Sequence, residues 1–187
     1  LFLMAAAAFA ADLNPAAQIF DNQVSTIERE VFALAQAMPA DKYDFAPPAS
    51  AGTFEGVRTF ALQVRHIATN IYMSAASVLG EKCPVEIGAN ENGADTLKTK
   101  DQIVAYFKDS LVYAHKAAAV ITDKNLMEQV PSPFGRGTQL RLSSAVFIAA
   151  HTNDHYGQMV VYGRMNGVIP PSSQPRPRPA GKAAPKQ

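Results

Sequence analysis

Four stretches of this chain repeat apolar residues at intervals of three and four, and proline or glycine stands at the boundaries between them. The first runs Phe20, Val24, Ile27, Val31, Leu34 and Met38. The second runs Val57, Phe60, Val64, Ile67, Ile71, Ala75 and Val78, and the third Val104, Phe107, Leu111, Ala114, Ala118 and Ile121. The fourth, around residues 138–166, is apolar on nearly every side. Gaps of three and four lay one stripe along a helix, and their alternation marks rods packed nearly parallel to their neighbours. No stretch shows the two-residue alternation of a convincing strand, and no internal repeat is present. The expected fold is all-α, a four-helix bundle with at least one long connection.

Local signals set the expected boundaries. Asn14 caps the first helix with Pro15 in its first turn, and Pro39 stops it. Residues 39–52 read as a loop whose Tyr43 and Phe45 can plug one end of the bundle. The second helix is expected from near Thr53 to Gly80. Residues 81–98 read as a long loop punctuated by Pro84, Gly88, Asn90, Asn92 and Gly93. Thr99-Lys100-Asp101-Gln102 is a capping box opening the third helix. Residues 123–137 connect to a fourth helix that starts after Thr138 and ends at Asn166, with Gly167 as its cap.

The two ends read differently from this body. Residues 1–11 are apolar and uncharged, end in Ala8-Phe9-Ala10 and are too short to cross a bilayer. That is the apolar core and cleavage site of a secretory signal peptide with its basic start cut away, so export to the periplasm or the outside is expected. Residues 12–171 form the expected bundle domain. Residues 172–187 alternate proline with Arg, Lys, Ala and Gly, a composition with nothing to pack, and read as a disordered tail. The formal net charge is +1. Arg176, Arg178, Lys182 and Lys186 lie in that acid-free tail, so the body is mildly acidic. A nucleic-acid partner would want a basic face on the folded part, and none is expected. No transmembrane segment is expected either. Cys83 is the lone cysteine, which excludes an internal disulfide.

The fourth segment holds the chemistry. His151 and His155 stand four apart, one turn along the same helix face, between Val146-Phe147-Ile148 and Met159-Val160-Val161. Two imidazoles so placed can point at one ion, and imidazole is the commonest protein ligand for transition metals. They can equally be polar residues satisfied by carbonyls or water. The Glu of H-E-x-x-H is missing, and two ligands do not make a site. A third must come from elsewhere. At about 100° per residue, His66 lies nearly opposite the stripe of its helix, beside Leu62 and Met73, and periodicity reads it as exposed. His115 borders the third stripe. By pattern the two are rivals for the missing ligand, and each is equally readable as a lone histidine on the bundle rim. Asp154 points away from the axis of the pair. Gln158, one turn from His155, can support it, and Tyr162 can line a pocket or simply pack.

The string His151-Thr-Asn-Asp-His155-Tyr-Gly-Gln-Met-Val-Val-Tyr-Gly-Arg-Met-Asn-Gly-Val-Ile-Pro-Pro171 resembles the DinB-like family of metal-binding four-helix bundles, in its exported subgroup. Tyr43-Asp44-Phe45, Arg58-Thr59-Phe60 and His66-Ile67-Ala68 are similar to that family's second helix and the loop before it. The likeness spans roughly residues 15–171. It implies one histidine from the second helix and two from the fourth around a divalent metal, hence His66, His151 and His155, with zinc or nickel foremost. Three histidines leave positions for water or substrate. Two functional expectations follow. One is an exported metal-dependent enzyme, a thiol transferase or hydrolase-like protein acting on a small-molecule substrate or thiol. The other is a non-catalytic metal-binding or stress-associated bundle, and a fourth protein ligand such as His115 or Asp154 would favour it. A homodimer through outward helix faces is a further expectation.

Overall fold

A computed structural model describes residues 14–135 and 137–175. The expected signal peptide and most of the expected tail lie outside these residues. The first helix begins at Pro15–Ile27, continues through a π-helical turn at Glu28–Phe32 and ends with Ala33–Ala37; this continuous rod is α1. The others are α2 Phe60–Leu79, α3 Lys100–Ala119 and α4 Arg141–Met165. Among the described residues, no helix is long and apolar enough to cross a membrane.

Contacts between named residues fix the directions. Gln63 meets Gln158 and Ser77 meets Ser144, so α2 and α4 are antiparallel. Thr69 meets Tyr106, and Glu81, just past α2, meets Lys116, so α2 and α3 run the same way. Asp21 meets His115, while Lys100 reaches the carbonyls of Gln36 and Met38, so α1 opposes α3. The order is up-down-down-up. Two parallel neighbours cannot be joined by a tight turn, so residues 80–99 form a crossover along the bundle. That crossover is what later covers the site.

Each helix end has a chemical reason. Thr59 accepts from the Leu62 amide at the start of α2, and Gly80 ends that helix at φ 72°. Thr99 and Gln102 complete the expected capping box of α3. The first amides of α4 donate instead to connector carbonyls, Arg141 to Glu128 and Leu142 to Leu126. Its far end closes with Val168 bonded to Gly163 and Gly167 to Arg164, the pattern that needs Gly167 at φ 77°.

Three boundaries differ from expectation. The helix α2 starts at Phe60, not near Thr53, because Thr59 is the residue able to cap it; Val57 lies before it and is exposed. The connector before α4 contains a small antiparallel hairpin, β1 Gln129–Pro131 with β2 Thr138–Leu140, although no strand was expected. Three-residue strands are too short to show alternation. The helix α4 accordingly begins at Arg141, where β2 ends. At the far end, Ser172 bonds the Tyr156 hydroxyl and Ser173 receives the Arg164 guanidinium, so the chain stays on the bundle past Pro171.

The core runs through Val24, Ile27, Val31 and Leu34 of α1, Phe60, Val64, Ile67 and Ile71 of α2, Phe107 and Leu111 of α3, and Met159 and Tyr162 of α4. Burying each large side chain contributes roughly 1.5–3 kcal/mol. Tyr43 and Phe45 do plug one end: Tyr43 meets Phe60 edge-on and Phe45 meets Tyr162. The helix α2 is central, with 18 of its 20 residues buried, so both its faces are covered. The helices α3 and α4 pack along one face. Over the other, buried Arg65 donates to the carbonyls of Asn92, Gly93 and Ala94 in the crossover.

Candidate metal centre

The antiparallel register of α2 and α4 sets His66 opposite the His151–His155 pair. The ring centroids are 5.0 Å apart for His66 and His151, 4.7 Å for His66 and His155, and 4.5 Å for His151 and His155. One ring nitrogen from each lies within 4.8 Å of the other two, and the three are positioned to hold one metal ion. His66 is 4% exposed and His155 7%, while His151 is half-buried and opens the group to one side. The expectation of an exposed His66 is thus overturned. A helical wheel counts only the helix itself, and here the crossover covers that face.

Hydrogen bonds fix which nitrogen of each ring is available. The Nδ1 of His155 lies 2.6 Å from Gln63 Oε1, and the Gln63 amide donates onward to Gln158 Oε1 at 2.8 Å. The Nδ1 of His66 lies 3.1 Å from the carbonyls of both Asn90 and Glu91. These oxygens only accept, so both Nδ1 atoms carry the proton and both Nε2 lone pairs face inward, that of His66 with the Asn70 amide nitrogen 3.4 Å away. His151 is oriented by its ring face, stacked on Phe147 at 4.8 Å and 18°, with Phe134 edge-on to Phe147. The Nε2 atoms of His151 and His155 approach to 3.2 Å. Two lone pairs that close repel unless a proton or a cation sits between them. Neutral imidazoles, inward lone pairs and outward N–H groups fit a divalent metal.

The crossover gives up backbone comfort to support this. Asn90 and Glu91 both sit in the left-handed region, at φ 53° and 57°. For residues other than glycine this costs on the order of 1 kcal/mol each. Their two carbonyls thereby converge on one His66 N–H. Gly88 is required beneath them, because a Cβ there would lie 2.0 Å from the Gly93 carbonyl oxygen.

The surroundings keep the rings neutral. Burial is the main cause of all three depressed values. It holds His66 below the ordinary histidine range, helped by the charge of Arg58. His151 is pushed down to about 3, with His155, His66 and Arg58 adding to burial. His155 is pushed down to about 4, with His66 and Arg58 adding to it. Neutral imidazole is the ligand form, so nothing need be deprotonated near pH 7 before a metal binds.

Other residues singled out by the sequence take different places. His115 is far from this group; its Nδ1 lies 2.6 Å from Asp21 and its Nε2 3.4 Å from Glu28. Asp154 is exposed, and its charge is felt only weakly by His155. Gln158 acts at one remove, through Gln63. Tyr162 packs on Phe45 and donates to the Arg58 carbonyl at 3.2 Å. The sequence reading missed Gln63, although it stands one turn before His66. It also missed the two crossover carbonyls, which no pattern of side chains could reveal.

A family model described as the DinB superfamily matches residues 23–159. Among solved structures, a DinB-like protein from Bacillus subtilis is similar at 16% identity, with 80% of this chain and 92% of that chain covered and a TM-score of 0.60. A DinB-like protein from Bacillus cereus is similar at 19% identity, with the same coverages and a TM-score of 0.59. At such identities the likeness is one of fold. None of the curated proteins compared matches this chain.

Proposed function

This chain belongs to the DinB superfamily, and from that premise we propose that it is a metal-dependent enzyme whose ion is held by His66, His151 and His155. The reading is carried by one observation: three neutral imidazoles converge, and among the described residues no further His, Cys, Asp or Glu joins them as a fourth ligand. A structural zinc normally closes its tetrahedron with four protein ligands, whereas a catalytic one keeps a position open. A divalent ion there, zinc or nickel foremost, supplies a Lewis acid that makes a bound thiol or water a nucleophile near neutral pH. The chain's own groups do the rest. Gln63, Asn90 and Glu91 hold two rings with their lone pairs inward, Phe147 holds the third, and burial keeps all three uncharged. The half-exposed side at His151 is the way in for a small thiol or other small molecule.

The test is metal analysis of the purified protein, followed by conjugation of low-molecular-weight thiols to a chromogenic electrophile, with and without a chelator. Turnover that disappears with the metal and in His151→Ala supports the enzyme. A stoichiometric metal with four protein ligands by X-ray absorption, and no metal-dependent turnover, leaves the non-catalytic bundle instead. Export is part of the proposal and rests on the apolar Leu1–Ala11 segment with its Ala-Phe-Ala end. N-terminal sequencing of protein from the periplasm or medium checks it; a terminus that retains this segment sinks it.

A further inference from the structure

The line of α2 that faces α4 is polar from end to end: Gln63, His66, Asn70, Ser74 and Ser77 follow one another at gaps of three and four. All five are buried. Such a line is costly unless each polar atom has a partner. Gln63 meets His155 and Gln158, and Ser77 meets Ser144. Asn70 stands seven residues, nearly two turns, from each of them. It therefore lies on the same side of α2, level with the turn of α4 that ends in His151. Its Nδ2 donates to the His66 carbonyl at 3.0 Å and lies 3.4 Å from His66 Nε2, the nitrogen turned inward for an ion. That carbonyl only accepts, so the amide cannot be turned over. This leaves Oδ1 fixed, in a side chain 2% exposed, without a hydrogen-bond partner among the described residues.

A buried acceptor with no donor costs at least as much as a hydrogen bond contributes, and such an atom marks a place where something else binds. The amide that carries this one rests against a ring of the metal centre, and three histidines leave an ion a position for a further ligand. We propose that Asn70 Oδ1 accepts a hydrogen bond from the group bound in that position, and that this group is one that keeps a proton, water foremost. A thiolate on the ion has no proton to give. Of the two nucleophiles in the metal-enzyme reading, on which this inference rests, Asn70 therefore selects water and fixes the direction of its remaining proton. Asn70 touches the bound group and not the ion.

The experiment uses the full chain loaded with cobalt(II), whose visible absorption reports the ligands of the ion. It is titrated with azide and with the monoanion of cyanamide. The two match in charge and length, but the second carries an N–H and the first has no hydrogen. Asn70→Leu is expected to lower the affinity for the cyanamide anion relative to azide by roughly three- to tenfold, the loss of one hydrogen bond, with the metal content unchanged. Ser74 carries another buried, unpartnered hydroxyl one turn further along the same line, and Ser74→Ala is expected to leave that ratio as it is. Should the Leu variant not fold, Asn70→Ala takes its place. A ratio that stays the same in the Asn70 variant, or falls as far in Ser74→Ala, overturns the role of Asn70 alone. Loss of cobalt from a folded Asn70 variant makes the amide oxygen a ligand of the ion and overturns that role as well. An unaltered chain that takes up no cobalt, or whose spectrum neither anion changes, overturns the metal-enzyme reading and this inference with it.

Discussion

A cluster of three histidines and a lone histidine with two acids sit on different helix pairs of this bundle, and they differ in what faces the ring nitrogens. Between α2 and α4, His66 and His155 turn their Nδ1 atoms to neutral oxygens, the carbonyls of Asn90 and Glu91 and the amide of Gln63. Between α1 and α3, His115 turns one nitrogen to Asp21 and the other to Glu28. An acid faces each nitrogen of that ring, so neither is turned toward other histidines. Neutral oxygens fix one N–H and leave the opposite nitrogen free. Burial sharpens the difference, since His66 and His155 are nearly sealed while His115 and its acids are all partly open to water. The same residue type is thus positioned to hold an ion in one place and ties two helices together in the other, and the partners decide which.

The largest expected effect that tests this contrast is on metal binding. His151→Ala or His155→Ala should weaken it by well over the roughly 100-fold seen for loss of a supporting residue, while His115→Ala should leave it unchanged. Isothermal titration with zinc on the purified chain checks this, and loss of metal in the His115 variant would invert the assignment. Gln63→Leu comes next. It removes the acceptor that fixes His155 and should cost about 10–100-fold in affinity with the helix content intact by circular dichroism.

A smaller effect is expected from acid. In the metal-free protein the three imidazoles stay neutral in the fold, His151 down to about pH 3 and His155 to about pH 4, whereas in the unfolded chain they protonate near 6.5. Below pH 6.5 the unfolded state therefore binds more protons, and stability must fall as pH falls from about 6.5 towards 4. The melting temperature of the metal-free chain should drop by roughly 3–8 °C over that window, and by less in His151→Ala. A flat profile in both proteins would show that burial does not hold the rings neutral. The smallest effect is at the tie between α1 and α3. Because it is partly solvated, His115→Ala should cost only about 0.5–1 kcal/mol in a urea titration.

Much of the bundle was legible from residue spacing. The stripe of α1 from Val24 to Met38 is buried as read, through a π-helical turn that its spacing did not announce. The capping box at Thr99 and the glycine at 167 stand where their chemistry requires. The limits came from parts of the chain distant in sequence. His66 could not be read as buried from its own helix, because its cover is the crossover, and nothing local says where a long loop lies. Spacing left His66 and His115 equal, and resemblance to a family separated them. Gln63 was invisible because a glutamine three residues before a histidine has many uses until α4 arrives opposite it. The hairpin at 129–140 was missed because its strands are shorter than any periodicity can resolve.

The crossover topology also bears on the order of events as the chain folds. Gln63 and the histidine it steadies are 92 residues apart, and the carbonyls over His66 lie in the crossover 24 and 25 residues further along the chain. Closing so wide a loop is paid in chain entropy before any ion can be gripped. A contact absent from the folding transition state contributes little to the barrier and stands mostly against unfolding, and we expect so long-range a contact to be of that kind. Occupancy by metal should therefore lengthen the lifetime of the native state while leaving the rate of refolding nearly as it was.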